Sequence, residues 1–374
     1  MRRYFILFYM LISALFFTAC EEKKKIIPSG KIVKVGILAP LSRENRKYGY
    51  QSLFGIEFAN REKRYLSNGD EIRFEIVDTK SSPKGTQKAL KKLLDNNVTA
   101  IISLIGSGNM LSLKEALARL ETPMLVPFAT NDEIPALSKF LAQICMSNQR
   151  EALVAAHYIK DEKFINRVGV LYNSNNPYSY ALAKQFQNYF KGIRGEEAFV
   201  IDFYKQNALQ KLAKVDLLNV GMIFSTLRAN ESARALKILH KKNVNILLSD
   251  GTLSAAKENA KNDLDLFNGA YIIEHYASDM KGSRDYKKLQ KILKKEGLQD
   301  SSYACLAYDA YQLLYYALQN CPKYEQQCIN ALFQNSDIIK GIAGNFSMEN
   351  GKVKRKIYVD KIKNLHLKRE IVTY

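Results

Sequence analysis

The chain of 374 residues has no tryptophan, five cysteines and four histidines. His157, His240, His275 and His366 stand far apart, and no cysteines show the spacing of a zinc site. Neither metal coordination nor a histidine-based triad therefore has a basis in the sequence. Also absent are a Walker lysine motif, an H-E-x-x-H pair and a G-x-S-x-G nucleophile elbow. Their absence removes the usual signatures of phosphate binding, metalloprotease and esterase chemistry, so the expectation is a protein that is not an enzyme and needs no cofactor or metal. There is no repeat of solenoid length and no low-complexity segment. After the first twenty residues no apolar run is long enough to span a bilayer. Negative charge is the scarcer sign: 37 Asp and Glu face 56 Lys and Arg, for a formal charge of +19.

What is present begins with an export signal. Arg2 and Arg3 precede an almost wholly apolar stretch, residues 5–17, that is short for a membrane span. Phe17-Thr18-Ala19-Cys20 then resembles a bacterial lipobox, in which the cysteine is lipidated and becomes the mature N-terminus. The expectation is a signal peptide over residues 1–19, lipid on Cys20 and a lysine-rich solvated tether over residues 20–30. Loss of Arg2 and Arg3 lowers the formal charge from +19 to +17. In the cytoplasm such a balance suggests nucleic acid. Export argues against that partner, and the lysines are scattered. Two readings of the charge remain open, a solvated lysine-rich surface and attraction to anionic lipid, cell-wall polymer or a membrane partner. Cys321 and Cys328 bracket a short segment between two helical patterns, which in an oxidising compartment predicts a disulfide. Cys145 and Cys305 lie in apolar contexts and read as buried thiols.

Strand and helix patterns alternate through the rest. Residues 31–39, 72–77, 101–105, 124–128 and 143–146 read as strands, with helices at 49–66, 83–95 and 110–120. A second series follows, with strands at 167–172, 198–203, 220–224, 244–248 and 270–273. Two βα series predict two doubly wound α/β lobes. Within residues 101–130, two parallel strands end on one sheet edge, and a small hydroxyl residue follows each: Ser107 after the first, Thr130 after the second. In open α/β sheets ligands bind outside those carboxyl ends, so this edge is a place for something small and anionic.

Several fragments in order carry a family resemblance. Val33 to Ser42 ends in Ala39-Pro40-Leu41-Ser42. Tyr48-Gly49 and Gly55-Ile56-Glu57-Phe58-Ala59 follow, then Val77-Asp78, Gly106-Ser107-Gly108, and Pro123 through Pro127 to Ala129-Thr130. Tyr178-Ser179, Ser249-Asp250-Gly251, Tyr308-Asp309-Ala310 and Gly341-Ile342-Ala343-Gly344 complete the series. The chain resembles type I periplasmic binding proteins of the branched-chain amino acid class, the receptors of ABC importers. The resemblance implies two Rossmann-like lobes joined by a three-segment hinge. Lobe 1 is expected to comprise residues 31–146 and 277–343, and lobe 2 residues 147–276 and 344–374. It also implies a lipid-anchored location on the periplasmic or cell-surface side of a bacterial membrane, a small amino acid-like ligand, and ABC permease subunits as partners. The alternative is a regulatory or interaction lipoprotein of the same fold, a cell-wall synthase activator or sensor subunit, with a degenerate or empty cleft.

By the same resemblance, Ser107 and Thr130 hold a ligand carboxylate, the Phe128 carbonyl and Asp250 hold its ammonium, Tyr48 and Tyr178 form cleft walls, and Ile105 and Gly106 line the side-chain end. Each has a structural alternative. Thr130 and Glu133 form a Thr-x-x-Glu capping pattern, Ser107 suits a helix cap, and Asp250 before Gly251 suits a solvated turn. Thr226 stands where close amino acid binders carry a second-lobe aromatic, and the loop Arg43-Glu44-Asn45-Arg46-Lys47 is charged where relatives are small and apolar. Both departures enlarge or repolarise the expected pocket.

Overall fold

The computed structural model describes residues 26–275, 283–298 and 302–373. The expected signal peptide and Cys20 lie outside the described residues, and so does part of the second expected hinge segment. The end of the expected tether is held to the body: Ser29 donates to Asp70 Oδ1 (2.5 Å), and its N–H reaches the Gly69 carbonyl (2.9 Å).

The first sheet contains β1 (Ile32–Ala39), β2 (Glu71–Asp78), β3 (Ala100–Ser103), β4 (Met124–Val126) and β5 (Leu141–Gln143), all parallel in the order β5-β4-β3-β1-β2. The second contains β6 (Arg167–Tyr172), β7 (Glu196–Asp202), β8 (Met222–Ser225), β9 (Asn245–Leu248) and β10 (Tyr271–Glu274), parallel in the order β10-β9-β8-β6-β7. Each sheet separates two cores because successive residues of a strand face opposite sides. Thus Ala100 and Ile102 pack with the Arg46–Glu62 and Ser302–Asn320 helices, while Ile101 packs on the other face with Met110 and Leu117. Burial on both faces explains why β3 reads as a continuous apolar run. The architecture is two α/β lobes with mixed sheets.

The C-terminal strands correct the expected lobe boundary. β11 (Ser336–Ile339), β12 (Phe346–Glu349) and β13 (Lys352–Lys354) extend the first sheet, whereas β14 (Ile357–Lys363) and β15 (His366–Thr373) extend the second. The third passage between lobes therefore lies at Arg355 and Lys356, not at the expected boundary between residues 343 and 344, and residues 344–354 belong with lobe 1. The cause is a tight hairpin: Asn350 and Gly351 adopt positive φ (50° and 70°), β12 and β13 pair antiparallel, and Gly351 O accepts the Gln143 N–H of β5 (2.7 Å). At the passage, Arg355 Nη2 meets Asp309 Oδ2 (2.9 Å), both side chains being buried.

The 110–120 helix is also corrected. The chain instead forms two short helices, Ser107–Leu111 and Lys114–Leu117, the first starting three residues ahead of the expected helix. Cys321 and Cys328 are bonded, with Cα atoms 5.6 Å apart, and Cys145 and Cys305 are buried thiols.

Candidate functional site

The carboxyl ends of both sheets face a cleft of about 1000 Å³. It is clasped on both sides. Along one, Gln51 Nε2 donates to Glu258 Oε1 (2.9 Å), Lys47 pairs with Glu258 (3.5 Å), Asn259 reaches the Tyr48 hydroxyl, and Ser302 N–H donates to Ser254 (3.2 Å). Along the other, the Ser107–Leu111 helix lies against the Pro177–Gly192 helix. The lobes thus stand closed over the cavity.

Ser107, Thr130, Phe128, Ile105, Gly106 and Tyr48 line the cleft from lobe 1, and Asp250 and Tyr178 from lobe 2. Thr226 does not. It is fully buried, its hydroxyl bonded to Ser179 Oγ (2.8 Å) and the Ser179 carbonyl (2.9 Å), because β8 ends at Ser225 and the next residue still points into the fold. The expectation that Thr226 contacts ligand is therefore withdrawn.

The two hydroxyls differ. Ser107 is the first residue of its helix rather than the cap, and its Oγ accepts the Asn131 N–H (3.3 Å). Thr130 does not form the capping pattern: the Ile134–Leu137 turn has Glu133 at its cap position with no side-chain bond, and Asn131 Oδ1 accepts the Glu133 N–H (2.9 Å) instead. Thr130 is 1% exposed and its Oγ1 has no hydrogen-bond partner. A buried hydroxyl left unpaired costs about 1–3 kcal/mol, so its retention at a cleft wall points to a partner that arrives later.

Asp250 sits at the centre of a buried network. Its Oδ1 accepts the Tyr178 hydroxyl (2.5 Å), its Oδ2 the His275 Nε2–H (2.8 Å), and its own N–H donates to Glu151 Oε1 (2.8 Å). His275 Nδ1 accepts the Met146 N–H (3.3 Å), which assigns the ring proton to Nε2. Met146 and His275 belong to the first and second segments joining the lobes, so this imidazole ties the hinge to the cleft floor. Burial opposes ionisation of Asp250, but His275 and Tyr178 hold its carboxyl below the usual range. Burial, then the Asp250 charge, pushes Glu151 well up, and the same two causes followed by Asp360 push Glu274 up. Negative charge is thus favoured on Asp250, at the cleft, over Glu151 and Glu274 behind it. Burial, then Asp250, also pushes the Tyr178 phenol up, so it stays a donor.

The periplasmic binding protein family model matches residues 32–365. The chain belongs to that family. Its members are non-catalytic transport receptors that bind a small ligand between two lobes outside the cytoplasm and serve a cognate ABC permease. Among solved structures, the leucine-binding protein LivK of Thermotoga maritima is similar at 22% identity and TM-score 0.79, over 91% of this chain and 98% of that one. The isoleucine complex of LivJ from Streptococcus pneumoniae is similar at 18% identity and TM-score 0.77, over 92% and 99%. A solute-binding protein of Rhodopseudomonas palustris in complex with 4-hydroxybenzoate matches at 17% identity and TM-score 0.78, over 92% and 97%. No curated protein sequence matches.

Three cleft residues of this periplasmic binding protein escaped sequence reasoning. Tyr303 packs on Tyr48 (ring centroids 5.1 Å) and edge-on to Phe128 (5.4 Å), closing an aromatic wall. Arg228 lines the cavity, and His275 lies behind Asp250. Tyr303 sits one residue inside the long Ser302–Asn320 helix, where an aromatic reads as core. His275 looked isolated because its partners are 25 and 129 residues away in sequence.

Proposed function

We propose that this receptor binds an amino acid or related amphoteric metabolite in the closed cleft, delivers it to an ABC permease, and is held to the membrane by lipid on Cys20. The carboxylate goes to Ser107 and Thr130. The ammonium goes to Asp250 and the Phe128 carbonyl, and the aromatic wall of Tyr48 and Tyr303 takes the remainder. The observation that carries this reading is the unpaired, buried Thr130 hydroxyl in the same cleft as an ionised Asp250. A zwitterion supplies an acceptor for the Thr130 hydroxyl and a positive charge to face Asp250.

A second reading is an aromatic carboxylate, as held by the R. palustris relative. The ring wall favours it, whereas the ionised Asp250 favours a cation. A thermal-shift screen of residues 25–374 against amino acids, amides, short peptides and hydroxybenzoates decides between them. A ligand at 100 times its Kd adds about 2.7 kcal/mol of stability. If amino acids shift nothing and hydroxybenzoates do, the zwitterion reading fails. If nothing shifts and a cell-wall synthase co-purifies, the protein is a regulatory lipoprotein instead.

A further inference from the structure

Four charged side chains line the cleft among the described residues: Glu44, Arg228, Glu231 and Asp250. Asp250 is bracketed by Tyr178 and His275. Glu231 caps its own helix: one carboxylate oxygen accepts the Arg228 N–H (3.2 Å), the other Asn173 Nδ2 (2.6 Å). Glu44 stands on the opposite lobe, between Arg43 and the start of the Arg46–Glu62 helix, which opens with Arg46 and Lys47. Arg228 is different. Its backbone starts the Ala229–Leu239 helix, and its side chain is exposed to the cavity with no carboxylate within 4.0 Å among the described residues. Nearby Glu258 is buried and engaged with Gln51 and Lys47.

The guanidinium shares the cleft wall with two tyrosines, Tyr48 and Tyr303. Its positive charge opposes the upward push that burial gives both phenols, whose rings are tilted at 38° with centroids 5.1 Å apart. Burial pushes the Tyr48 phenol up to about 12 even against that charge, so it remains a neutral donor beside Arg228. Asn259, bonded to the Tyr48 hydroxyl, lines the same end. The cleft therefore has an anionic pole at Asp250, a hydroxyl pair at Ser107 and Thr130, and a cationic pole at Arg228. Its volume is at the upper end of what a small-molecule site uses, leaving room for a side chain to reach the third pole.

The geometry points to a ligand with a second acidic group: an amino acid with a side-chain carboxylate, for which Arg228 is the specificity-determining residue. An Arg–carboxylate contact is planar and two-pronged, and inside a closed cleft it is stronger than in water. A neutral apolar side chain, by contrast, would desolvate the guanidinium without pairing it. This inference rests on the amino-acid reading above.

The test is titration calorimetry of the protein with L-glutamate, L-aspartate, L-glutamine and L-leucine, repeated on Arg228→Gln and on Asp250→Asn. Glutamine matches glutamate in shape and lacks only the charge. The expected result is that an acidic amino acid binds about tenfold or more tightly than glutamine, the usual worth of a hydrogen bond to a charged group. In Arg228→Gln that ratio should fall to about one. Because Arg228 is exposed, an unchanged urea midpoint verifies that the variant folds. Equal or tighter binding of glutamine or leucine overturns the inference, as does a preference for glutamate that survives Arg228→Gln. Either result leaves the amino-acid reading intact if Asp250→Asn still weakens binding. If no amino acid binds and Asp250→Asn changes nothing, both readings fall.

Discussion

Asp250→Asn is the most informative single substitution, because the structure predicts two separate losses. In the free protein Asp250 accepts from Tyr178 and from His275, one donor on each oxygen. Asparagine offers one oxygen and an amide that donates, so one of the two donors is left facing another donor. His275 cannot evade this by moving its proton, since its Nδ1 is taken by the Met146 N–H. An orphaned buried donor costs about 1–3 kcal/mol, and the surviving bond loses its charge assistance. A partial gain offsets this, because the neutral amide no longer raises the ionisation cost of Glu151 and Glu274. The net expectation is about 2 kcal/mol of lost stability in the ligand-free protein, read by urea denaturation. Binding should suffer independently. A desolvated ammonium facing an amide instead of a carboxylate loses about 2 kcal/mol or more, roughly 30-fold in Kd, read by titration calorimetry with the best amino acid from the screen. With no Trp in the chain, optical titrations depend on its 22 tyrosines, several of them in the cleft. If stability drops while affinity stays within about twofold, which is under about 0.5 kcal/mol, Asp250 is a bracket for the hinge and not a ligand contact.

Thr130→Val tests the other pole. It replaces an unpaired buried hydroxyl by a methyl of the same shape, so the free protein should keep or slightly gain stability while ligand affinity falls by about 1.5 kcal/mol or more. A loss of stability without a loss of affinity would give Thr130 a structural role. Glu274 predicts a pH effect of definite sign. Its folded pKa is raised by burial and then by Asp250 and Asp360, whereas the unfolded chain releases the proton near 4.5. Between that pH and the folded pKa the native state binds more protons, so stability falls as pH rises, by up to about 1.4 kcal/mol per pH unit. Urea midpoints from about pH 5 to 8 should lose that component in Glu274→Gln; an unchanged slope refutes it. Replacing Cys321 and Cys328 together by serine opens a bridge with a sequence separation of 7, which chain entropy values at about 2.4 kcal/mol. Denaturation with and without reductant should show a loss of that order in the parent and none in the double variant.

The lobes were legible in the sequence because their signals are local. Alternating apolar positions in β1 and continuous apolar runs in β3 and β9 announce strands buried on one or both faces. Ser82-Pro83 announces a helix start, and Ser82 Oγ indeed accepts the Gly85 N–H (3.2 Å). What failed was non-local. The hairpin of β12 and β13 looked like the start of the last passage between lobes, since nothing in residues 346–354 says that their partner is Gln143, two hundred residues earlier. The site shows the same division. Ser107, Thr130 and Asp250 follow strands and could be placed at a sheet edge by topology. Thr226 also follows a strand, but one residue of register separates the cleft from the interior, and its hydroxyl is spent on Ser179. Arg228, two residues on, is the side chain that reaches the cavity. Its sequence context, a cation before an Ala-rich helix, reads as solvated surface.

The closed state depends on few contacts, and this bears on how the receptor works. Lys47, one side of the Lys47–Glu258 pair, is 39% exposed, and a partly exposed ion pair contributes about 0–1 kcal/mol. The bonds from Gln51 to Glu258 and Ser302 to Ser254 add about 1 kcal/mol each. Against these stands the unpaired Thr130 hydroxyl, buried in the closed cavity, which favours opening to water. The two sides nearly balance, so the empty protein should populate both open and closed forms. A ligand that pairs Thr130, Asp250 and Arg228 together removes the term opposing closure and adds its own contacts. To move the equilibrium from 1:99 to 99:1 it must favour the closed form by about 5.5 kcal/mol. Three charge-assisted contacts at about 1.5–3 kcal/mol each reach that figure, and a ligand lacking any one of them falls near or below it. Closure, rather than first contact, is then where the receptor tells its ligand from a near neighbour.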